Sequence, residues 1–279
     1  MSEAAFWAGQ MGKQWADHAD ALDQQLEPAG QAGLEALRPQ PDEKILDLGC
    51  GSGAMTEKLC EAVGLDGRVT GVDISADQIT VAKVRAGNER AEFVLGDAQT
   101  WRFAPETYDA LFSRFGCMFF EDPDAAFRNL QIALKPGARI VLVAWCDLTL
   151  NPWAALPAAV GARVLGPAKP VPAEHPGPFA WSSPSVFRKV LEGAGFQNLS
   201  WTDVKIVLRI GENTFDDPIK RGVRMLMSVG PLARRLKDEP NNSRLKVADL
   251  LAKELQPYVQ DGWVCMPGLI WVVRAHKRP

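Results

Sequence analysis

Tyrosine is nearly absent from this 279-residue chain, with only Tyr108 and Tyr258 against nine tryptophans. Neither is followed by lysine four residues on, so the Tyr-x-x-x-Lys pair of many hydride-transfer enzymes is missing. Histidine is sparse too, at three residues, which leaves few candidates for a general base. The five cysteines are odd in number, widely spaced and free of any C-x-x-C pair. That argues against a disulfide framework or a thiolate zinc site and for a reducing, cytoplasmic setting. Basic and acidic residues number 31 and 34, a net charge of −3, which disfavours a nucleic-acid-coating protein. The longest apolar run, 138–146, contains an arginine and is far shorter than the roughly 20 residues of a membrane span. The first residues lack a basic leader followed by an apolar stretch, so no secretory signal is expected.

What is present is ordinary globular composition, 47% hydrophobic and 23% charged, in a length suited to one large domain or two small ones. Short apolar runs alternate with helical patterns from 44 to 145, as in βαβ units around a parallel sheet. Strands are expected at 44–48, 68–72, 91–95, 108–112 and 139–145, and two more at 200–210 and 264–275. Ser75 with Gln78 forms a capping box, and Asp122-Pro123 and Ser183-Pro184 are helix starts. Pro136-Gly137 is expected to break the chain before the fifth strand. The surplus falls in three pieces, 1–40, 146–183 and 211–261. Because these are scattered, the chain reads as a single domain, 1–279, with extensions. Residues 1–40 would form an N-terminal helical lid, and 146–183 and 211–261 insertions covering the acceptor side.

The run Ile45-Leu-Asp47-Leu-Gly49-Cys-Gly51-Ser-Gly53 carries the chemistry. A buried strand ends in glycines, which permit unusual backbone angles and close approach of a ligand. The helix from Ala54 then presents free N–H groups beyond the carboxyl end of the first strand, where cofactors bind in open α/β sheets. Gly49-x-Gly51-x-x-Ala54 also fits a dinucleotide turn, and Asp73 could accept from the ribose of either cofactor class. Three later features separate the two. They are Gly96-Asp97-Ala98, then Ser113-Arg114-Phe115 running to Phe120 and Glu121, then Leu134-Lys-Pro-Gly leading into strand five.

In this order the motifs resemble class I S-adenosylmethionine (SAM) dependent methyltransferases of the ubiquinone/menaquinone-biosynthesis type. The likeness is close over about 43–145 and looser over 183–210 and 263–275. It implies an α/β, Rossmann-like seven-stranded sheet of order 3-2-1-4-5-7-6, with strand 7 antiparallel. It also implies a loop of Gly49, Gly51 and Gly53 around the cofactor, with Asp47 ordering it. Asp73 would hold the ribose, Ile74 would lie on the adenine, and Asp97 and Ala98 would read the adenine edge. Ser113 and Arg114 would offer backbone carbonyls near the methionine amino group. Ala138 stands where the family often has a second glycine.

SAM would leave as S-adenosylhomocysteine (SAH). The methyl is already activated as a sulfonium, so the protein's work is alignment and water exclusion, and no metal is required. No HExxH helix or carboxylate cluster suggests one. The expected acceptor is a small aromatic or carboxylate-bearing metabolite methylated on oxygen, with no nucleic acid or membrane span involved. Carboxyl O-methylation of a peptide, a non-catalytic SAM-binding subunit and an NAD-dependent oxidoreductase are the alternatives. A phenol acceptor benefits from a base. His18 is either that base or a polar residue of a lid helix. His175 lies in a proline-rich loop at 170–178. Arg114 could fork onto an acceptor carboxylate, or pair with Glu121 or Asp122. Phe6, Trp7, Met11 and Trp15 share the spacing of one helix face. Trp15, Phe115, Met118, Phe119, Trp145 and Trp153 are the expected substrate-pocket walls, with Trp7 and Trp181 adding to a bulky cover.

Overall fold

The structure, a computed structural model, describes residues 2–86, 90–169, 175–214 and 216–279. Part of the proline-rich loop, 170–174, and Phe215 therefore lie outside the described residues. The chain begins with helix α1 (Glu3–Phe6), a π-helical turn (Trp7–Met11), α2 (Gly12–Asp17) and the long α3 (Ala19–Leu37). The central alternation follows: β1 (Lys44–Leu48), α4 (Ala54–Val63), β2 (Arg68–Asp73), α5 (Ala76–Ala86), β3 (Ala91–Leu95), β4 (Tyr108–Arg114), α6 (Pro123–Ala133) and β5 (Leu134–Trp145). Then come α7 (Pro152–Leu165), α8 (Pro184–Gly193), β6 (Phe196–Ile210), α9 (Pro218–Ser228), α10 (Pro231–Leu236), α11 (Asn241–Glu254), β7 (Val259–Gln260) and β8 (Trp263–Lys277).

The strands form one sheet of order β3-β2-β1-β4-β5-β8-β6. Strands β1 to β5 pair in parallel, while β8 runs antiparallel to both β5 and β6. This is the Rossmann-like arrangement, with one strand beyond the expected seven. The extra β7 is a two-residue arm that folds back on the start of β8, too short to leave a periodic signal. A second difference concerns Pro136-Gly137, which lies inside β5 and does not precede it. The register between β4 and β5 slips between Tyr108 and Ala110 there, so the breaker residues are absorbed as a bulge.

Local chemistry sets the helix starts. Ser75 Oγ accepts from the Gln78 N–H, and Asp122 Oδ1 accepts from the Ala125 N–H at 2.8 Å. The central strands are buried on both faces; Ile45, Leu46, Ala110, Leu111 and Phe112 are fully enclosed. Helix α3 lies across β4, β5, β8 and β6. A Cβ at Gly33 would stand 2.7 Å from Val143 and 2.8 Å from Phe112, so that glycine lets the helix lie close on the sheet. The second half of the 1–40 segment is thus core, with Ala29 and Leu37 buried. The two insertions meet each other: α7, α9, α10 and α11 pack together, and α7 and α9 rest on β8. Trp181 is sunk among Phe127 and Phe187, away from the cofactor edge.

Candidate active site

The carboxyl ends of β3, β2, β1 and β4 open onto one cavity. Its floor is the turn after β1. Gly49, Gly51 and Gly53 have φ of +66°, +56° and +86°, a region that side chains disfavour. A Cβ at Gly49 would stand 2.7 Å from the Gly116 Cα, and one at Gly116 would stand 2.6 Å from the Leu48 carbonyl oxygen. The two glycines therefore lock the ends of β1 and β4 backbone against backbone. Gly116 was not singled out in the sequence, because its partner is 67 residues away.

Asp73, at the end of β2, accepts from the Gly51 N–H and the Ser75 N–H, each at 2.9 Å. Burial pushes its carboxyl above the ordinary value, opposed by those N–H groups and that of Ile74. Asp73 and Ile74 line the cavity, as do Asp97 and Ala98 after β3. Gln78, read in the sequence only as a capping-box partner of Ser75, and Gln99, an ordinary loop position with no signal, line it as well. Ser113 is buried below the cavity, its hydroxyl donating to the Leu48 carbonyl at 2.8 Å.

Asp47 lies beneath the turn, 1% exposed, and accepts from the Thr56 hydroxyl at 2.6 Å. Burial pushes its carboxyl up to about 6, although Thr56 and Arg114 pull the other way. The folded chain therefore favours the neutral form. The associated stability is complete below the ordinary value of 3.8 and is lost as pH rises through about 6. That gap corresponds to about 3 kcal/mol. In urea unfolding, Asp47→Asn is expected to gain up to about 3 kcal/mol on the parent at neutral pH and nothing at strongly acid pH. Parallel stability-against-pH curves would contradict this.

Arg114 lines the cavity at the end of β4, and its partner is neither Glu121 nor Asp122. Its Nη2 donates to Asp23 Oδ1 of α3 at 3.1 Å. Asp23 Oδ2 accepts from Arg85 Nη1 of α5 at 2.6 Å, and Arg85 also pairs with Asp20. Phe115 follows with φ +68°, a strained conformation for a bulky residue. Its ring stacks on Trp145 at 4.3 Å, and Trp145 in turn leans on Trp153 at 4.6 Å. Phe115 and Phe119 line the cavity. Met118, Trp145 and Trp153 do not appear on its walls: Met118 and Trp145 are buried, and Trp153 stands behind Trp145. Burial pushes the Cys117 thiol up to about 12.

The N-terminal segment closes the cavity from above. Trp7 stands edge-on to Trp15 at 5.4 Å and to Phe119 at 4.8 Å, and all three line the cavity. The one-face pattern divides here. Phe6 and Met11 line a separate groove against α9 and α10, because the π-helical turn shifts the register between Trp7 and Met11. His18 faces that groove too. Its Nδ1 lies 2.9 Å from Glu212 Oε1, so the structure does not bring His18 to the cofactor edge. Among the described residues, the cavity wall includes none from 146–183 or 211–261. Those insertions pack behind the aromatic stack and on β8.

The donor set fits SAM. Gly49 and Gly51 line the cavity, while Gly53 packs behind it against Ala82 and Phe93, and a carboxylate sits at each of the two adjoining strand ends. A sheet of this order with such a glycine turn defines an α/β protein of the nucleoside-cofactor class. Residues 45–137 match the family described as a methyltransferase domain. The chain is 25% identical over 183 residues to demethylmenaquinone methyltransferase of Corynebacterium kroppenstedtii, covering 62% of this chain and 76% of the relative. Over 118 residues it is 32% identical to the Staphylococcus epidermidis protein of the same name, covering 42% and 49%. Phosphoethanolamine N-methyltransferase 2 of Haemonchus contortus, solved in complex with SAM, superposes with a TM-score of 0.58 at 18% identity. That alignment covers 100% of this chain and 60% of the other, and it shows the shared fold. The chain spans about three quarters of the first relative's length and about half of the second's. The chain thus carries a methyltransferase domain over 45–137 and has the Rossmann-like fold of SAM-dependent methyltransferases. The nicotinamide reading of the glycine turn is set aside.

Proposed function

We propose that the chain transfers the methyl group of SAM to an oxygen of a small aromatic or carboxylate-bearing metabolite. The observation that carries this reading is the ring-lined end of the cavity: Trp7, Trp15, Phe115, Phe119 and Phe120 form its apolar walls. Flat faces and edges of this kind suit a planar acceptor, with a few polar groups left to fix its orientation.

SAM, when bound, supplies an electrophilic methyl on a sulfonium. The chain's residues do the remainder. The glycine turn and Asp73 hold the nucleoside side, and the rings of the lid exclude water and limit the acceptor's approach angles. Glu121, a carboxylate on the cavity wall, is the group we assign to take up the proton of a phenol. A carboxylate acceptor is ionised at neutral pH and needs no base.

The test is transfer from methyl-labelled SAM to salicylate, 3,4-dihydroxybenzoate, phosphoethanolamine and a peptide pool. Label in one of the two aromatic acids is the expected result, alkali-stable for a phenol ether and alkali-labile for an ester. Label appearing only in phosphoethanolamine would replace oxygen by nitrogen as the target atom. Label only in peptides would favour the peptide-carboxyl alternative.

A further inference from the structure

We infer that Asp23 of the lid helix and Arg114 of β4 are the counter-charges for the amino-acid end of SAM, and that cofactor binding thereby tightens the docking of α3. The inference rests on the reading of this cavity as the SAM site.

The order of the strands gives the direction. Along the sheet edge lie Asp97 and Ala98 after β3, Asp73 and Ile74 after β2, Gly49 to Gly51 after β1, and Arg114 at the end of β4. A nucleoside on the first two positions extends its sulfur over the third and its amino-acid end toward the fourth. That end is a zwitterion, an ammonium beside a carboxylate, and it requires one charge of each sign. Arg114 is the one cationic side chain among the described lining residues. Asp23 lines the same cavity 3.1 Å from it. Asp73 and Asp97 belong to the nucleoside side.

The two side chains are poorly exposed, at 12% for Arg114 and 22% for Asp23, so neither is left without a counter-charge at small cost. Asp23 divides its two oxygens, Oδ2 to Arg85 and Oδ1 to Arg114. Arg85 also reaches the Ser52 carbonyl of the glycine turn at 3.3 Å. The ligand's carboxylate takes the Arg114 guanidinium, its ammonium takes Asp23 Oδ1, and Arg85 keeps Oδ2. Every charge stays paired, and α3 stays tied to α5 throughout. The link between Asp23 and Arg114 then runs through the ligand, so the lid helix and β4 are clamped on the same molecule.

The test is calorimetry on the full chain with two ligands, SAH and 5′-methylthioadenosine. The second carries the nucleoside and thioether but no amino-acid end. Asp23→Asn is expected to weaken SAH at least tenfold while changing 5′-methylthioadenosine less than twofold, so that the preference between them collapses. Asp20→Asn, which alters only the exposed partner of Arg85, is expected to change neither ligand more than twofold. If Asp23→Asn weakens both ligands alike, the residue is a structural clasp and the inference fails. It fails too if neither ligand is affected. Should that variant not fold, Arg114→Gln measured on the same two ligands decides by the same criterion. Absence of SAH binding to the parent chain would instead overturn the SAM reading itself.

Discussion

Gly49→Ala is expected to weaken SAH binding by about 100-fold or more and to lower the stability of the whole sheet. Two costs add. At φ +66° any side chain pays about 1–2 kcal/mol for the left-handed region. The new Cβ would also stand 2.7 Å from the Gly116 Cα, a backbone atom that cannot swing aside. Overpacking of that kind costs about 1–3 kcal/mol. The strain falls on the turn that cradles the cofactor, so affinity and unfolding free energy should fall together. Gly116→Ala meets the Leu48 carbonyl and Gly49 in the same way but without the dihedral penalty, so its loss should be smaller. Calorimetry with SAH and urea unfolding check both variants. A Gly49→Ala protein within threefold of the parent affinity would mean the two strand ends separate readily.

Asp73→Ala is the second large effect, expected at about 100-fold in SAH affinity, or about 3 kcal/mol. The substitution strips the acceptor from two N–H groups, those of Gly51 and Ser75, and with them the order of the turn, besides the carboxylate proposed to hold the ribose. Asp73→Asn keeps one oxygen and should lose less. The raised carboxyl of Asp73 adds a pH signature. The ionised form accepts from the N–H groups and, in the proposed role, from the ribose. SAH binding should therefore weaken on acidification, beginning above the pH at which an ordinary carboxylate would protonate. Affinity measured across mildly acid pH in the parent and in Asp73→Asn separates this from general acid unfolding.

Features written in consecutive residues were legible in the sequence. The turn from Gly49 to Gly53, the caps at Ser75, Asp122 and Ser183, and the strands before them each depend on local backbone angles and short-range hydrogen bonds. The parallel sheet and its order followed from the resemblance those motifs carried. What stayed hidden joins distant segments. Asp23 meets Arg114 across 91 residues and His18 meets Glu212 across 194, and nothing in either neighbourhood signals the other. The tryptophans show the same limit. Their number suggested one cover, but a π-helical turn and tertiary packing send Trp7 and Trp15 to the cavity, Trp145 behind Phe115, and Trp181 into the far core.

The cavity is assembled from two stretches of the chain. Its donor side lies between Leu48 and Glu121, inside or just beside the strand-and-turn block shared with the methyltransferase domain, and its roof comes from Ala4 to Leu26, outside that block. The two meet at Asp23 and at the ring cluster of Trp7, Trp15 and Phe119, and α3 is anchored further along the sheet. The roof therefore has two parts: α3 with Asp23, tied to the sheet and to Arg114, and the rings of Trp7 and Trp15 ahead of it. Exchanging those rings alone, with Asp23 and α3 left in place, is therefore a route to a different acceptor on an unchanged donor grip.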